Sequence, residues 1–123
     1  EWTEKRRAHA QYYQRHLAQV EQVCTPQDQV HERPVYHTFV IESHQRNALR
    51  THLTEDGIGT VISYPTPIHL QQAAVGLSYA PGSFPVAEGQ AERMVSLPIY
   101  SELRENQLQH VVDSIQRFCR AAG

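Results

Sequence analysis

The chain is poor in the features that commonly announce a chemistry. It has two cysteines, Cys24 and Cys119, far apart and outside any CxxC spacing, so a disulfide framework is not expected. Two isolated thiols fit a reducing compartment, and the expectation is a cytoplasmic protein. No apolar run approaches the length of about 20 residues that crosses a bilayer, and the polar, charged start is unlike a secretory signal. There is no excess of basic charge: eleven basic and thirteen acidic residues give a net charge of −2, which leaves no positive field for nucleic-acid phosphates. No GxSxG elbow and no phosphate-cradling glycine loop is present. The eight histidines include neither an HxxxH nor an HxH pair, so no metal site is expected. A Cys/His nucleophile pair fails as well, because Cys119 lies in an apolar stripe and Cys24 at a helix end. Lys5 is the sole lysine. Glu1 opens directly into a helical pattern with neither an initiator methionine nor a cap before it, and the reading is that of a fragment.

What is present suits one compact domain, since 123 residues with 40% hydrophobic content supply a single core. Residues from Glu1 to about Val23 lack Gly and Pro and set Tyr13, Leu17 and Val20 on a thin apolar stripe, which predicts a long helix with mostly solvated faces. Val35 to Ile41 is dense in β-branched and aromatic residues and predicts a strand, with Val35, His37 and Phe39 on one face and Tyr36 on the other. A helix from Ser43 or His44 to about Asp56 follows, closed by Gly57. Gln72 to Leu77 reads as a helical turn and Ala80 to Ser83 as a loop. Phe84, Ala87, Ala91 and Met94 predict a core-facing helix to about Arg93, Met94 to Leu97 a short strand, and Glu105 to Arg120 an amphipathic last helix. The predicted fold class is α+β: about three strands in a sheet covered by helices, preceded by the long N-terminal helix. Residues 1–24 form a connecting helix in this reading and 25–123 the domain proper.

The stretch from Gly57 to Gln71 draws most interest. Thr60 to Ile62 reads as a buried strand, and Pro65 and Pro67 stop it. Each proline pushes its predecessor toward extended geometry, so Tyr64 to Gln71 is expected to be a stiff, extended arm with His69 and Gln71 facing the same way. Such an arm suits ligand recognition, because polar groups held in advance lose little entropy on binding. An ordinary proline-rich surface connection explains the same residues. His37 is read first as a core histidine of its strand.

Taken together, these pieces resemble the C-terminal part of the DegT/DnrJ/StrS family of pyridoxal-phosphate-dependent sugar aminotransferases of fold type I. The matching stretches are Glu1-Trp2, Val35 to Ile41, Leu49 with His52-Leu53, Gly57 to Thr60, Tyr64-Pro65-Thr66-Pro67-Ile68-His69-Leu70-Gln71, Leu77 to Tyr79, Gly82 with Phe84-Pro85 and Ala87-Glu88, and Ser96 to Tyr100. Their order and spacing agree over nearly the whole chain. The resemblance implies that this is the small domain of an enzyme converting a keto nucleotide-sugar to an amino sugar, with glutamate or glutamine as donor. It implies a large domain that holds pyridoxal 5'-phosphate through a lysine, a homodimer, and Tyr64, His69, Gln71 and, more weakly, His37 as substrate contacts. Lys5 lies far before the motifs, so no cofactor is expected on this chain alone and the chain alone is expected to be inactive. Two departures stand out. Ser63 replaces a frequent histidine, and Arg104 sits where Ser or Thr usually caps the last helix, at a cost of about 1 kcal/mol. Alternatives left open are a non-catalytic or regulatory relative and the sugar dehydrase branch of the family.

Overall fold

The computed structural model describes residues 1–123. Its elements run α1 (Trp2–Leu17), β1 (Phe39–Glu42), α2 (Arg46–Glu55), two 3-10 turns (Ile68–Leu70 and Gln72–Leu77), α3 (Pro85–Arg93), β2 (Met94–Leu97) and α4 (Glu105–Ala122). The result is a small α+β domain. β1 and β2 are antiparallel, Phe39 opposite Leu97 and Ile41 opposite Val95. Phe39 and Ile41 face inward and meet α4, whose Leu108, Val111, Val112, Ile115 and Cys119 form the buried stripe expected of it. Leu49 and Leu53 of α2 and Tyr13 and Leu17 of α1 complete the core. Burying a Leu, Ile or Phe side chain contributes about 1.5 to 3 kcal/mol, so this seam carries most of the stability. None of the helices is long and apolar enough to cross a membrane.

The sheet has two strands, not three. The expected strand at Thr60 to Ile62 is reduced to one bridge, in which Val61 and Ser96 exchange hydrogen bonds of 3.2 and 2.7 Å. Val61 is 58% exposed, so no core rewards extending the pairing. On the other edge Cys24 bridges Glu42 with two 2.9 Å bonds.

α1 ends at Leu17, earlier than expected. Turns after it bury Val23 and bring Cys24 to the sheet, which a continued helix would prevent. The helix is also more firmly seated than its thin stripe implies. The Tyr13 hydroxyl donates to the Pro98 carbonyl at 2.8 Å, and its ring lies 5.1 Å from that of Phe39.

The strand predicted from Val35 begins only at Phe39. Tyr36 has φ 49°, a left-handed conformation uncommon for a bulky residue, and its ring is buried 5.9 Å from Phe39. Its hydroxyl donates to Asp28 and accepts from Gln14, and burial with Asp28 beside it pushes its pKa up to about 12. Tertiary burial of one ring overrides the β-propensity of the segment. The reversal at Tyr36 breaks the alternation, and His37 is therefore an exposed residue, not a core one.

Candidate functional site

The segment between the Val61 bridge and α3 is built differently from the core. Pro67 starts a 3-10 turn, in which Leu70 N–H donates to the Pro67 carbonyl at 2.9 Å and Gln71 N–H to that of Ile68 at 3.2 Å. The expected extended arm from Tyr64 to Gln71 is thus folded back on itself. The physical reason is that a proline's fixed φ also fits the entry to a helical turn. Gln71 does not stand beside His69 by strand alternation. Its side-chain amide donates to the Thr66 carbonyl at 3.1 Å and ties the turn together.

The turn, the following 3-10 segment and α3 enclose an open cavity of about 460 Å³. Ser63, Tyr64, Pro67, Ile68 and His69 line one side; Leu77, Tyr79, Phe84, Ala87 and Met94 line the other. Phe84, Ala87, Ala91 and Met94, expected to face the core, turn this stripe toward the cavity, and Ala91 alone of the four is buried. Tyr64 is 71% exposed at the rim. The size and apolar lining suit a small-molecule site with few polar groups.

His69 is the best-held polar group in the cavity. Its Nε2 lies 2.8 Å from Glu88 Oε1, and its side chain is 8% exposed. Phe84 packs edge-on with its centroid 4.8 Å from the imidazole, and Tyr79 does so at 6.5 Å. Glu88, in the first turns of α3, reaches back to accept the Gly82 N–H at 2.9 and 2.8 Å and the Phe84 N–H at 3.3 Å. Gly82 has φ 90°, and this left-handed turn aims its amide at the carboxylate. The Gly82 amide and then the His69 ring hold the Glu88 carboxyl below the ordinary carboxylate range. Sequence reading singled out His69 and missed its partner. Glu88 stands at a helix start, where acidic residues are common for reasons of helix charge alone.

His37 joins a neighbouring cavity of about 250 Å³ with Gly59, Val61, Ser96 and Pro98. Ser63, the departure from the family pattern, lines both cavities. The sequence thus places Tyr64 and His69 in one cavity, His37 in the next, and Gln71 in the turn beneath.

A pyridoxal cofactor requires a lysine, and this chain does not provide one at the site. Lys5 is half-exposed on α1, 3.5 Å from Glu1, and is not part of the His69 cavity lining. The residues present do not fit the covalent attachment of that cofactor.

Comparison with known proteins gives a consistent answer. The sequence model of the DegT/DnrJ/EryC1/StrS aminotransferase family matches residues 1–116. The chain is 40% identical to the "Pleiotropic regulatory protein" of Geobacillus stearothermophilus over 97% of this chain and 32% of that protein. It is 35% identical to the dTDP-3-amino-3,4,6-trideoxy-alpha-D-glucose transaminase of Streptomyces venezuelae over 95% of this chain and 31% of that protein. The crystal structure of S. venezuelae DesV superposes with a TM-score of 0.92 at 35% identity, over 96% of this chain and 32% of that one. The chain therefore spans about a third of the length of the curated relatives it matches.

Proposed function

The chain belongs to the DegT/DnrJ/EryC1/StrS aminotransferase family, and on that premise we propose that it is the substrate-bordering part of a pyridoxal-phosphate-dependent enzyme that converts a keto nucleotide-sugar to an amino sugar. The cofactor, when bound, supplies the electron sink for amino-group transfer, and the residues that hold it lie outside this chain. This chain's own part is to bind and orient the sugar. The observation that carries the reading is the His69 cavity: a mostly apolar recess with one nearly buried, pre-oriented imidazole and two tyrosines, in a domain that superposes on S. venezuelae DesV and is 35% identical to a dTDP-sugar transaminase. Tyr64 at the rim and His69 in the wall contact the nucleotide-sugar, Gln71 braces the turn that carries His69, and His37 borders the adjoining cavity. The whole enzyme works as a cytoplasmic homodimer.

The test uses the full-length protein loaded with pyridoxal phosphate and glutamate. A panel of dTDP- and UDP-linked keto hexoses is offered, and amino sugar is read by mass spectrometry. Turnover of at least one panel member is expected. His69→Ala is expected to raise KM for that sugar about ten- to a hundredfold, the usual cost of a hydrogen bond to a charged or well-fixed partner, with the donor half-reaction unchanged. Collapse of the donor half-reaction at unchanged sugar affinity overturns the assignment.

A second reading has one observation in its favour: the Geobacillus stearothermophilus relative bears the name of a regulatory protein. The residue at the cofactor-lysine position of the full-length chain decides among the readings. Lysine supports transamination, histidine the dehydrase branch, and any other residue a regulatory binding role.

A further inference from the structure

The His69–Glu88 contact fixes more than a position. An ionised carboxylate only accepts hydrogen bonds, and Glu88 is ionised, its oxygens receiving two backbone N–H groups from Gly82 and Phe84. The proton between Glu88 and His69 therefore sits on Nε2. With Nε2 committed to Glu88, Nδ1 is the ring nitrogen without a hydrogen-bond partner within the chain. Phe84 packs edge-on against the ring and is itself backed by Tyr79, and the nearly buried ring is thereby opposed in rotating to another arrangement.

We propose that Glu88 is the positioning residue of the cavity: it holds His69 by Nε2, so that Nδ1 is the ring atom offered to the ligand. The proposal rests on the reading of this cavity as the substrate-bordering site and adds to it which atom of His69 meets the ligand. It also says how Glu88 acts, through His69 and not by touching the ligand.

Two measurements on the full-length protein test this. In proton NMR at pH 8 with 15N-histidine labelling, the His69 Nε2–H is expected as a protected downfield resonance in the wild type and in Glu88→Gln, whose carboxamide oxygen still accepts. It is expected to vanish in Glu88→Ala. Absence of that resonance in the wild type, or an Nε2–H exchanging as fast as that of exposed His37, overturns the proposal, and this arm needs no substrate. With the sugar that the panel identifies, Glu88→Ala and His69→Ala are each expected to raise KM about tenfold at nearly constant kcat. The double variant is expected to be no worse than His69→Ala, and Glu88→Gln to stay within about threefold of wild type. Additive losses in the double variant overturn it. Absence of turnover with every panel sugar counts against the proposed function, while the NMR arm still decides the role of Glu88.

Discussion

The seam of α1, α4, α2 and the two strands and the segment from Val61 to α3 solve the same problem in opposite ways. In the seam, ordered side chains are buried apolar groups: Tyr13, Leu17, Phe39, Ile41, Leu53 and Ile115 are all essentially inaccessible. In the segment, Tyr64, Ile68, Val75, Leu77, Tyr79 and Phe84 stand exposed, and order comes from hydrogen bonds to one carboxylate and from two short turns. Burial gives stability without direction. The polar scaffold gives direction with little stability, which is what a binding wall needs.

The sharpest test of this contrast pairs two truncations. Ile115→Ala is expected to lower unfolding free energy by about 2 to 5 kcal/mol, since it removes a fully buried side chain and leaves a cavity. Leu77→Ala, at the exposed wall, is expected to change it by less than about 0.5 kcal/mol. Urea midpoints measure both, and similar losses at the two sites would break the comparison. Tyr13→Phe comes next. It leaves the half-buried Pro98 carbonyl without its donor and is expected to cost about 1 kcal/mol, again by urea midpoint.

A gain is expected at the start of α4. Arg104 cannot accept a hydrogen bond; only the return half of a capping pair forms, with Gln107 Oε1 accepting the Arg104 N–H at 3.0 Å. Arg104→Ser is expected to stabilise by about 1 kcal/mol, and an unchanged melting temperature would count against the missing-cap account.

The smallest effects concern two carboxylates. Asp56 accepts from Ser114 and Arg117 of α4, and these bonds, Ser114 first, hold its carboxyl below the ordinary range. A depressed carboxyl contributes stability that is full above its unfolded value and is lost as pH falls through the folded one. Asp56→Asn is therefore expected to flatten the acid limb of the global stability curve. Glu88 is depressed in the same sense, but its bonds tie only the local loop. Glu88→Ala is expected to speed amide exchange at Gly82 and Phe84 with the urea midpoint nearly constant. A large midpoint shift would move Glu88 into the first class.

Legibility in the sequence followed the same division. The stripes of α2 and α4, the strand at Met94 to Leu97 and the glycine stop at Gly57 were readable because burial leaves a period. His69 and Tyr64 were readable from the stiff Pro65-Thr66-Pro67 context and the family motif. The folded turn was not, since a proline favours an extended neighbour and a helical entry alike. His37 misled because the reversal at Tyr36 depends on Asp28 and Gln14, partners that no local pattern reveals. Glu88 was invisible as a partner of His69 because the two meet across nineteen positions and a left-handed glycine.

α1 and α4 close on each other across most of the chain: Tyr12 bonds Gln109 and His16 bonds Gln116, separations of 97 and 100 positions. The loop that must be closed to form this seam therefore already contains the whole cavity wall. Closure entropy grows only as the logarithm of loop length, so adding ten residues between Val61 and Pro85 raises its cost by about 0.1 kcal/mol. The wall can be lengthened, shortened or rewritten at almost no expense to the seam. A domain wired in this way can change the shape of its cavity by insertion and deletion, while the residues that fold it remain as they are.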